Sequence, residues 1–400
     1  MNVLFANYGT WTNNSGTQIQ NFGRALVGLG HECLVAVPKL TDEWEGATGC
    51  RVVHYRDVLG GVAGFSDGRS ADVLHAWTPR EIVREFSDEY LTAHKGTALA
   101  VHLEDNEEVL LERYLSGVVD DIGEKGGEDV VAERELIPGL IHPERYRDFL
   151  DVASGISVIY RTLADLPMAD GRGVELVPPI DPAEYVGSGG EEEARRALGI
   201  EAGEVVVVYT GNDHFANTDD IKLMYRALHR LRERGMALRL LRTGHTQEGV
   251  YEDLEFDRRE FSAELGFIPR DEMVNLLGYA DIFIQPGIPD DFNRFRLPAK
   301  LPEYLMSGKP VILPETNLGA ELADGVEALL TREGEVDEIV GHVETLMADD
   351  ALRERIGKAA RSFAERRFSP DTVGGAVSDF YEDCLARAGR TGVRVRAEGS

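Results

Sequence analysis

From the first residues, short apolar runs alternate with stretches whose apolar residues recur at helical spacing. Val3 to Ala6 reads as a buried strand, and Ile19, Phe22, Ala25, Leu26 and Leu29 share one face of a helix over Thr17 to Leu29, closed by Gly30. A second strand follows at Cys33 to Val37. This order predicts a parallel sheet with right-handed crossovers. Further strands are expected at Val52–His54, Val73–Ala76, Ala98–His102 and Gly155–Ile159.

The glycine-rich, acidic stretch from Ser116 to Asp129 has little to bury and reads as a mobile loop. In "VPPIDPAEYVGSGGEEEARRALGI" the prolines and the Gly/Ser cluster mark a domain boundary near residues 183 to 190, with a helix starting at Glu191. The alternation then restarts. Strands are expected at Val205–Tyr209, Leu238–Arg242, Ile282–Gln285 and Val311–Leu313, with helices near Asp219–Arg234, Glu272–Leu277 and Ala299–Met306. The fold class is therefore α/β, with two Rossmann-like doubly wound domains over residues 1–185 and 186–370. A helix over 371–388 is expected to cross back to the first domain, ahead of a flexible tail at 389–400. Doubly wound sheets take ligands beyond the carboxyl ends of their strands, which places the chemistry in a cleft faced by both domains.

A chain of 400 residues fits two domains. Its formal net charge of −29 disfavours nucleic acid and anionic lipid as partners. No apolar run approaches the roughly 18 residues needed to span a bilayer, so stable membrane insertion is not expected and a soluble cytoplasmic protein is. Cys33, Cys50 and Cys384 are widely spaced and form neither a disulfide framework nor a zinc pattern. The oligomeric state is not legible. With only seven lysines in the chain, a motif that holds two of them stands out: "FRLPAKLPEYLMSGKPVILPE", residues 295 to 315, with Lys300 and Lys309.

Four stretches carry candidate chemistry. In "GTWTNNSGTQ", Gly16 stands where a helix N-terminus can cradle an anion, or merely permits the turn while Asn14, Ser15 or Thr17 caps the helix. In "AVHLEDNEE", His102 ends a strand beside Glu104 and Asp105, as a site histidine or a structural one. In "VVVVYTGNDHFANTDD", Gly211 and Asn212 again offer backbone amides, while Asp219 and Asp220 read as first-turn helix acids rather than metal ligands. In the lysine motif, Lys300 and Glu303 share a helix face, either as a surface ion pair or as a phosphate contact and a sugar-hydroxyl acceptor. Lys309 is read as solvent-facing.

The chain resembles retaining glycosyltransferases of the GT-B fold, and among them family 4. The resemblance rests on "LVGLGHECLVAVP" after Gly16, "ADVLHAW", "AVHLEDNE", "VELVPPIDPAEY", "VVVYTG", "FIPRDEMVNLLGYADIFIQPG" and "RLPAKLPEYLMSGKPVI", which run in family order over nearly the whole chain. It implies that the second domain binds a nucleotide sugar, UDP- or GDP-linked, that the first binds a glycan or small-molecule acceptor, and that the anomeric configuration is retained. Gly16 matches the glycine that approaches the donor phosphates, His102 the histidine near the transferred sugar, and Glu303 the ribose-contacting second glutamate of the E-x7-E signature. Phe295 stands where the first glutamate belongs, with Asp290, Asp291 or Asn293 as substitutes. The loop "GNDHFANTDD" lacks the family's usual Arg and Lys, which leaves Arg242, Arg294, Arg296 or Lys300 to meet the diphosphate, and the P-x-K-x-x-E spacing assigns that role to Lys300. Acceptor contacts are expected from Trp11, Glu104 and Asp105, with Trp77 a further stacking candidate. No DxD stands at a strand end, so no cofactor or metal is expected.

Three rival readings remain at this stage. A nucleotide-sugar epimerase or a glycan phosphorylase shares the fold, and the acids of "HLEDNEE" suit an epimerase. A catalytically silent binding partner would explain Phe295 and the missing loop cations. A dinucleotide dehydrogenase is disfavoured, because no GxGxxG follows any strand.

Overall fold

A computed structural model describes residues 1–40, 49–112, 139–185, 195–213, 217–246 and 249–397. The loop expected at Ser116 to Asp129 and the helix start at Glu191 lie outside the described residues. The chain divides into two compact units, Met1–Pro179 with Pro370–Ser400, and Ile180–Ser369.

The first unit holds a seven-stranded sheet in the order β3-β2-β1-β4-β5-β6-β7. Its strands are β1 Asn2–Asn7, β2 Glu32–Val37, β3 Arg51–His54, β4 Val73–Trp77, β5 Ala98–Leu103, β6 Gly155–Val158 and β7 Gly173–Glu175. Every pairing is parallel. Strands covered on both faces must be apolar throughout, which is why β1, β4, β5 and β6 are buried at every position. The strand order reverses between β1 and β4. That switch point fixes where a ligand can enter.

The first helix, Asn14–Gly28, starts three residues before the predicted Thr17. Its cap is Asn13, whose side-chain oxygen accepts from the Gly16 amide at 2.7 Å, so none of the three expected residues caps it. Gly16 is buried in the first turn, and a Cβ there would collide with the Trp11 carbonyl. Only glycine fits.

The second unit repeats the plan with six strands in the order β10-β9-β8-β11-β12-β13. They are β8 Val205–Tyr209, β9 Leu238–Arg242, β10 Ser262–Glu264, β11 Ile282–Ile284, β12 Val311–Pro314 and β13 Leu329–Thr331, again all parallel. Helix Thr218–Glu233 lays Ile221, Met224, Tyr225, Leu228 and Leu231 on the sheet, at the 3-4 spacing that makes one apolar face. Here the switch point falls between β8 and β11.

Helix Pro370–Ala397 packs on β4, β5, β6 and the first helix, so the α/β architecture of the first unit is completed by residues from beyond the second. It continues to Ala397, through most of the stretch expected to be a tail. No helix among the described residues is long and apolar enough to cross a membrane.

Candidate functional site

In the second unit the sheet register sets Tyr209, Arg242 and Glu264 abreast at the carboxyl ends of β8, β9 and β10. Beyond them the chain turns back in stacked loops. The Gly211 amide donates to the Thr243 carbonyl at 3.2 Å, the Gly244 amide to Gly266 at 2.7 Å, and the His245 amide to the Asn212 side chain at 2.6 Å. Gly211 and Gly244 have φ of 130° and 98°, and a Cβ on Gly244 would run into the Gly211 backbone. Glycine is required at both for the loops to stack.

Lys300 opens helix Lys300–Met306 and carries its ammonium inward, 3.8 Å from the centre of the Tyr209 ring and 3.0 Å from where a Cβ on Gly211 would sit. It has no hydrogen bond or ion pair with any described residue, so the surface pair with Glu303 does not form. Burial, then the like charges of Arg296 and Arg242, hold its pKa well below the ordinary lysine value. The same helix steadies the loop through Tyr304, which accepts from the Thr210 amide at 2.7 Å and stacks on Phe283 at 4.1 Å.

Arg242 is only 1% exposed. Its guanidinium donates to Thr246 at 2.6 Å and Glu264 at 3.0 Å and lies 3.4 Å from Asp213, so it buttresses the loops and reaches the Lys300 pocket only through its field. Asn293 is also buried. Its amide donates to Asp220 at 3.3 Å, while Asp290 accepts from the Asn293 backbone at 2.8 Å. Two of the expected substitutes for the missing glutamate are thus engaged, Asp290 by the Asn293 backbone and the Asn293 side chain by Asp220, and the Asp291 side chain lies outside the described residues. Arg294 is exposed, with its guanidinium 5.2 Å from the Phe295 ring, while Glu303, Arg296 and Lys309 are part-buried. Asp219 and Asp220 occupy the first turn of their helix, as expected. Among the described residues no group of acids, histidines and cysteines is placed to hold a metal.

In the first unit the register sets Asn7, Trp77, His102 and Ser157 abreast at the carboxyl ends of β1, β4, β5 and β6. His102 is fully buried, stacked on Trp77 at 4.1 Å, with Nδ1 2.8 Å from the Ser157 hydroxyl and no partner for Nε2. Ser157 also meets His75 Nε2 at 3.0 Å, and His75 Nδ1 meets the Tyr381 hydroxyl at 2.9 Å. Burial lowers the pKa of His75 to about 3, and burial followed by the charge of His75 lowers that of His102. Both rings are neutral at physiological pH. Trp77 is buried and Trp11 nearly so, which makes both packing residues and neither an open sugar platform.

Glu104 lies just beyond β5, with its carboxyl bound by Trp77 Nε1 at 2.7 Å and Ser15 Oγ at 2.6 Å. Burial lifts its pKa to about 7 against those two hydrogen bonds. Next to it Thr78, a buried non-glycine residue at φ 75°, donates its amide to the His102 carbonyl at 3.0 Å. Strain of that kind collects at functional sites. Asp105 is part-buried beside it.

Of the expected site residues, Trp11, Gly16, His102, Glu104 and Asp105 belong to the first unit, and Gly211, Asn212, Arg242, Asp291, Asn293, Arg294, Lys300 and Glu303 to the second. The sequence reading missed Tyr8, Arg80, Glu107, His75, Ser157 and Tyr381. Only Glu107, in the acidic run "EDNEE", and His75, in the strand "ADVLHAW", carried a sequence signal.

Residues 204–349 match the family profile for glycosyl transferases group 1. A D-inositol 3-phosphate glycosyltransferase of Nocardia farcinica is 26% identical over 243 residues, 57% of this chain and 52% of that protein. The chain therefore spans about half the length of the curated relatives it matches. Among solved structures, sucrose-phosphate synthase of Thermosynechococcus elongatus superposes with a TM-score of 0.71 at 12% identity, covering 96% of this chain and 99% of that one. HepE of Anabaena, in complex with UDP and glucose, superposes with a TM-score of 0.66 at 15% identity, covering 94% and 98%. The fold is GT-B, and the second unit carries a glycosyl transferases group 1 domain.

Proposed function

We propose that this GT-B chain with its group 1 domain is a retaining glycosyltransferase that moves a sugar from a nucleoside-diphosphate sugar, UDP- or GDP-linked, to an acceptor hydroxyl. The observation that carries the reading is Lys300, part-buried, whose ammonium lies over Tyr209 beside the Gly211 turn and has no carboxylate partner among the described residues. A cation left so, with Arg296 and Arg242 near it, is poised for an anion. A diphosphate is the anion that a nucleotide-sugar donor brings, and HepE holds UDP.

When the sugar leaves, negative charge grows on the diphosphate, and a fixed cation beside it stabilises that charge more than it stabilises the bound donor. Lys300 takes that part. The departing diphosphate assists removal of the acceptor's proton on the same face, so no protein nucleophile and no metal is required. His102, closed in between Trp77 and Ser157, shapes the first unit's edge rather than touching the sugar. Glu303 meets the ribose.

Isothermal titration of UDP and GDP into the purified chain and into Lys300→Ala tests the donor site. Unchanged nucleotide affinity in the variant would sink it. Phe295 favours a second reading, a catalytically silent member, because no acid stands where the donor sugar's hydroxyls would be read. Slow hydrolysis of UDP-glucose or GDP-mannose by the purified chain would speak against that reading.

A further inference from the structure

Glu104 does not end its contacts at Ser15. The Ser15 hydroxyl lies 3.2 Å from the Tyr8 hydroxyl, and Tyr8 is half-buried in the loop between β1 and the first helix, with the Arg80 guanidinium 3.9 Å from its ring centre. Each hydroxyl carries one proton and can donate only once. With Glu104 ionised, the Ser15 proton goes to Oε2, so the Ser15 oxygen accepts from Tyr8. With Glu104 protonated, a proton on Oε1 would find no acceptor in the Trp77 indole, which only donates, whereas one on Oε2 finds the Ser15 oxygen. The proton sits on Oε2 and is given to Ser15, whose own proton turns to the Tyr8 oxygen. The Tyr8 proton then turns away from Ser15.

We propose that Glu104, Ser15 and Tyr8 form a reversible hydrogen-bond chain, through which the buried carboxyl sets whether the Tyr8 hydroxyl accepts or donates a hydrogen bond on its side away from Ser15. The proposal rests on the function above only for the group that Tyr8 meets, an acceptor hydroxyl. With Glu104 ionised, Tyr8 accepts from that hydroxyl and holds its single proton away from the departing diphosphate. With Glu104 neutral, Tyr8 donates to it, and the hydroxyl's own proton stays free for the diphosphate. Glu104 is a positioning residue here, since it acts through Ser15 and Tyr8.

The surroundings support two accessible states. Among the described residues, the charged and titratable groups that act on Glu104 are Tyr8 from the loop before the first helix, Arg80 from the start of helix Glu81–Ala93, and Asp105 from its own segment. Arg80 is tied to Glu107 at 3.1 Å, which leaves the carboxyl held mainly by its two neutral donors. Burial places its pKa at about 7, where both forms are populated.

Two magnetic-resonance signals of the intact protein read the chain, the Trp77 indole proton and carbon-labelled Tyr8 Cζ, each assigned by a Phe variant and followed from about pH 5 to about pH 9. In the wild type both should titrate together near pH 7. Glu104→Gln offers a carbonyl to Trp77 and an amide proton to Ser15, which copies the protonated carboxyl. Both signals should then be flat, with Tyr8 fixed at its wild-type low-pH position. In Ser15→Ala, Trp77 should still titrate and Tyr8 should not. A wild type in which neither signal moves overturns the proposal, as does a Tyr8 signal that still follows Trp77 in Ser15→Ala. Neither readout needs a sugar donor, so failure here and failure of the transferase reading are separate results.

Discussion

At the carboxyl edge of the first sheet stand Asn7, Trp77, His102 and Ser157; at that of the second stand Tyr209, Arg242 and Glu264, with Lys300 above them. The scaffolds share one strand order, yet the edges hold opposite chemistry. In the first unit burial keeps His75 and His102 uncharged and pushes the Glu104 carboxyl toward neutrality. In the second, one guanidinium is neutralised by carboxylates and one ammonium is not. Topology decides where a ligand can sit, and the side chains at the strand ends decide its charge. The second edge has the charge to suit an anion, and the first suits a neutral polar group.

The strongest way to break that contrast is Arg242→Ala, which strands Asp213 and Glu264 beside an empty site and should destabilise the chain by about 3–5 kcal/mol in denaturant unfolding. An intact midpoint would show that the arginine is not the buttress it resembles. Next comes Lys300→Ala, expected to weaken UDP binding by about 10- to 100-fold while leaving the melting temperature near the wild-type value, since no described residue pairs with the ammonium. A matching loss of stability would recast Lys300 as structural. Because the ammonium is held below its usual pKa until an anion arrives, UDP binding should also take up a proton, seen as a calorimetric heat that depends on the buffer.

The first unit's edge makes a pH prediction with two arms. For Glu104 the folded pKa lies above the unfolded one, so ionisation costs stability as pH rises from about 4.5 to about 7, and Glu104→Gln should be more stable than wild type by about 1–3 kcal/mol at pH 8 with little gain at pH 5. For the buried histidines the folded pKa lies below the unfolded one, so their stabilisation is present above about pH 6.5 and is lost as pH falls toward 3. Acid unfolding of His75→Gln against wild type measures that arm. A flat pH profile for either variant difference would erase the contrast between the two edges. The smallest effect belongs to Tyr304→Phe, which removes the acceptor for Thr210 and should cost about 1 kcal/mol and a few-fold in UDP affinity.

Strand positions such as Val205–Tyr209 were legible because a strand buried on both sides has no polar face to hide. Lys300 was legible too, since a lysine between Pro298 and Glu303 breaks an apolar pattern in a lysine-poor chain. The burial of Arg242 was not. In "LRLLR" the two arginines look alike, and only the register that brings Glu264 alongside tells one from the other. The early helix start was missed because three plausible caps follow Asn13, and only the Gly16 amide donating to the Asn13 side chain shows that Asn13 itself is the cap. Ser157 lies 82 residues from His75, and Tyr381 lies 306 from it. No local pattern reports contacts of that range.

The last of these contacts sets an order of events during synthesis. Residues 180–369 contain everything the second unit needs, whereas His75 waits for Tyr381, and Gly155 for the ring of Phe380 and the thiol of Cys384. The half of the chain that leaves the ribosome first is therefore the half that closes last, reversing the usual N-terminal lead. Chains cut at Ser369 should show a protease-resistant second unit joined to a readily cleaved first one, and an apolar sheet face that a chaperone must shield until helix Pro370–Ala397 arrives.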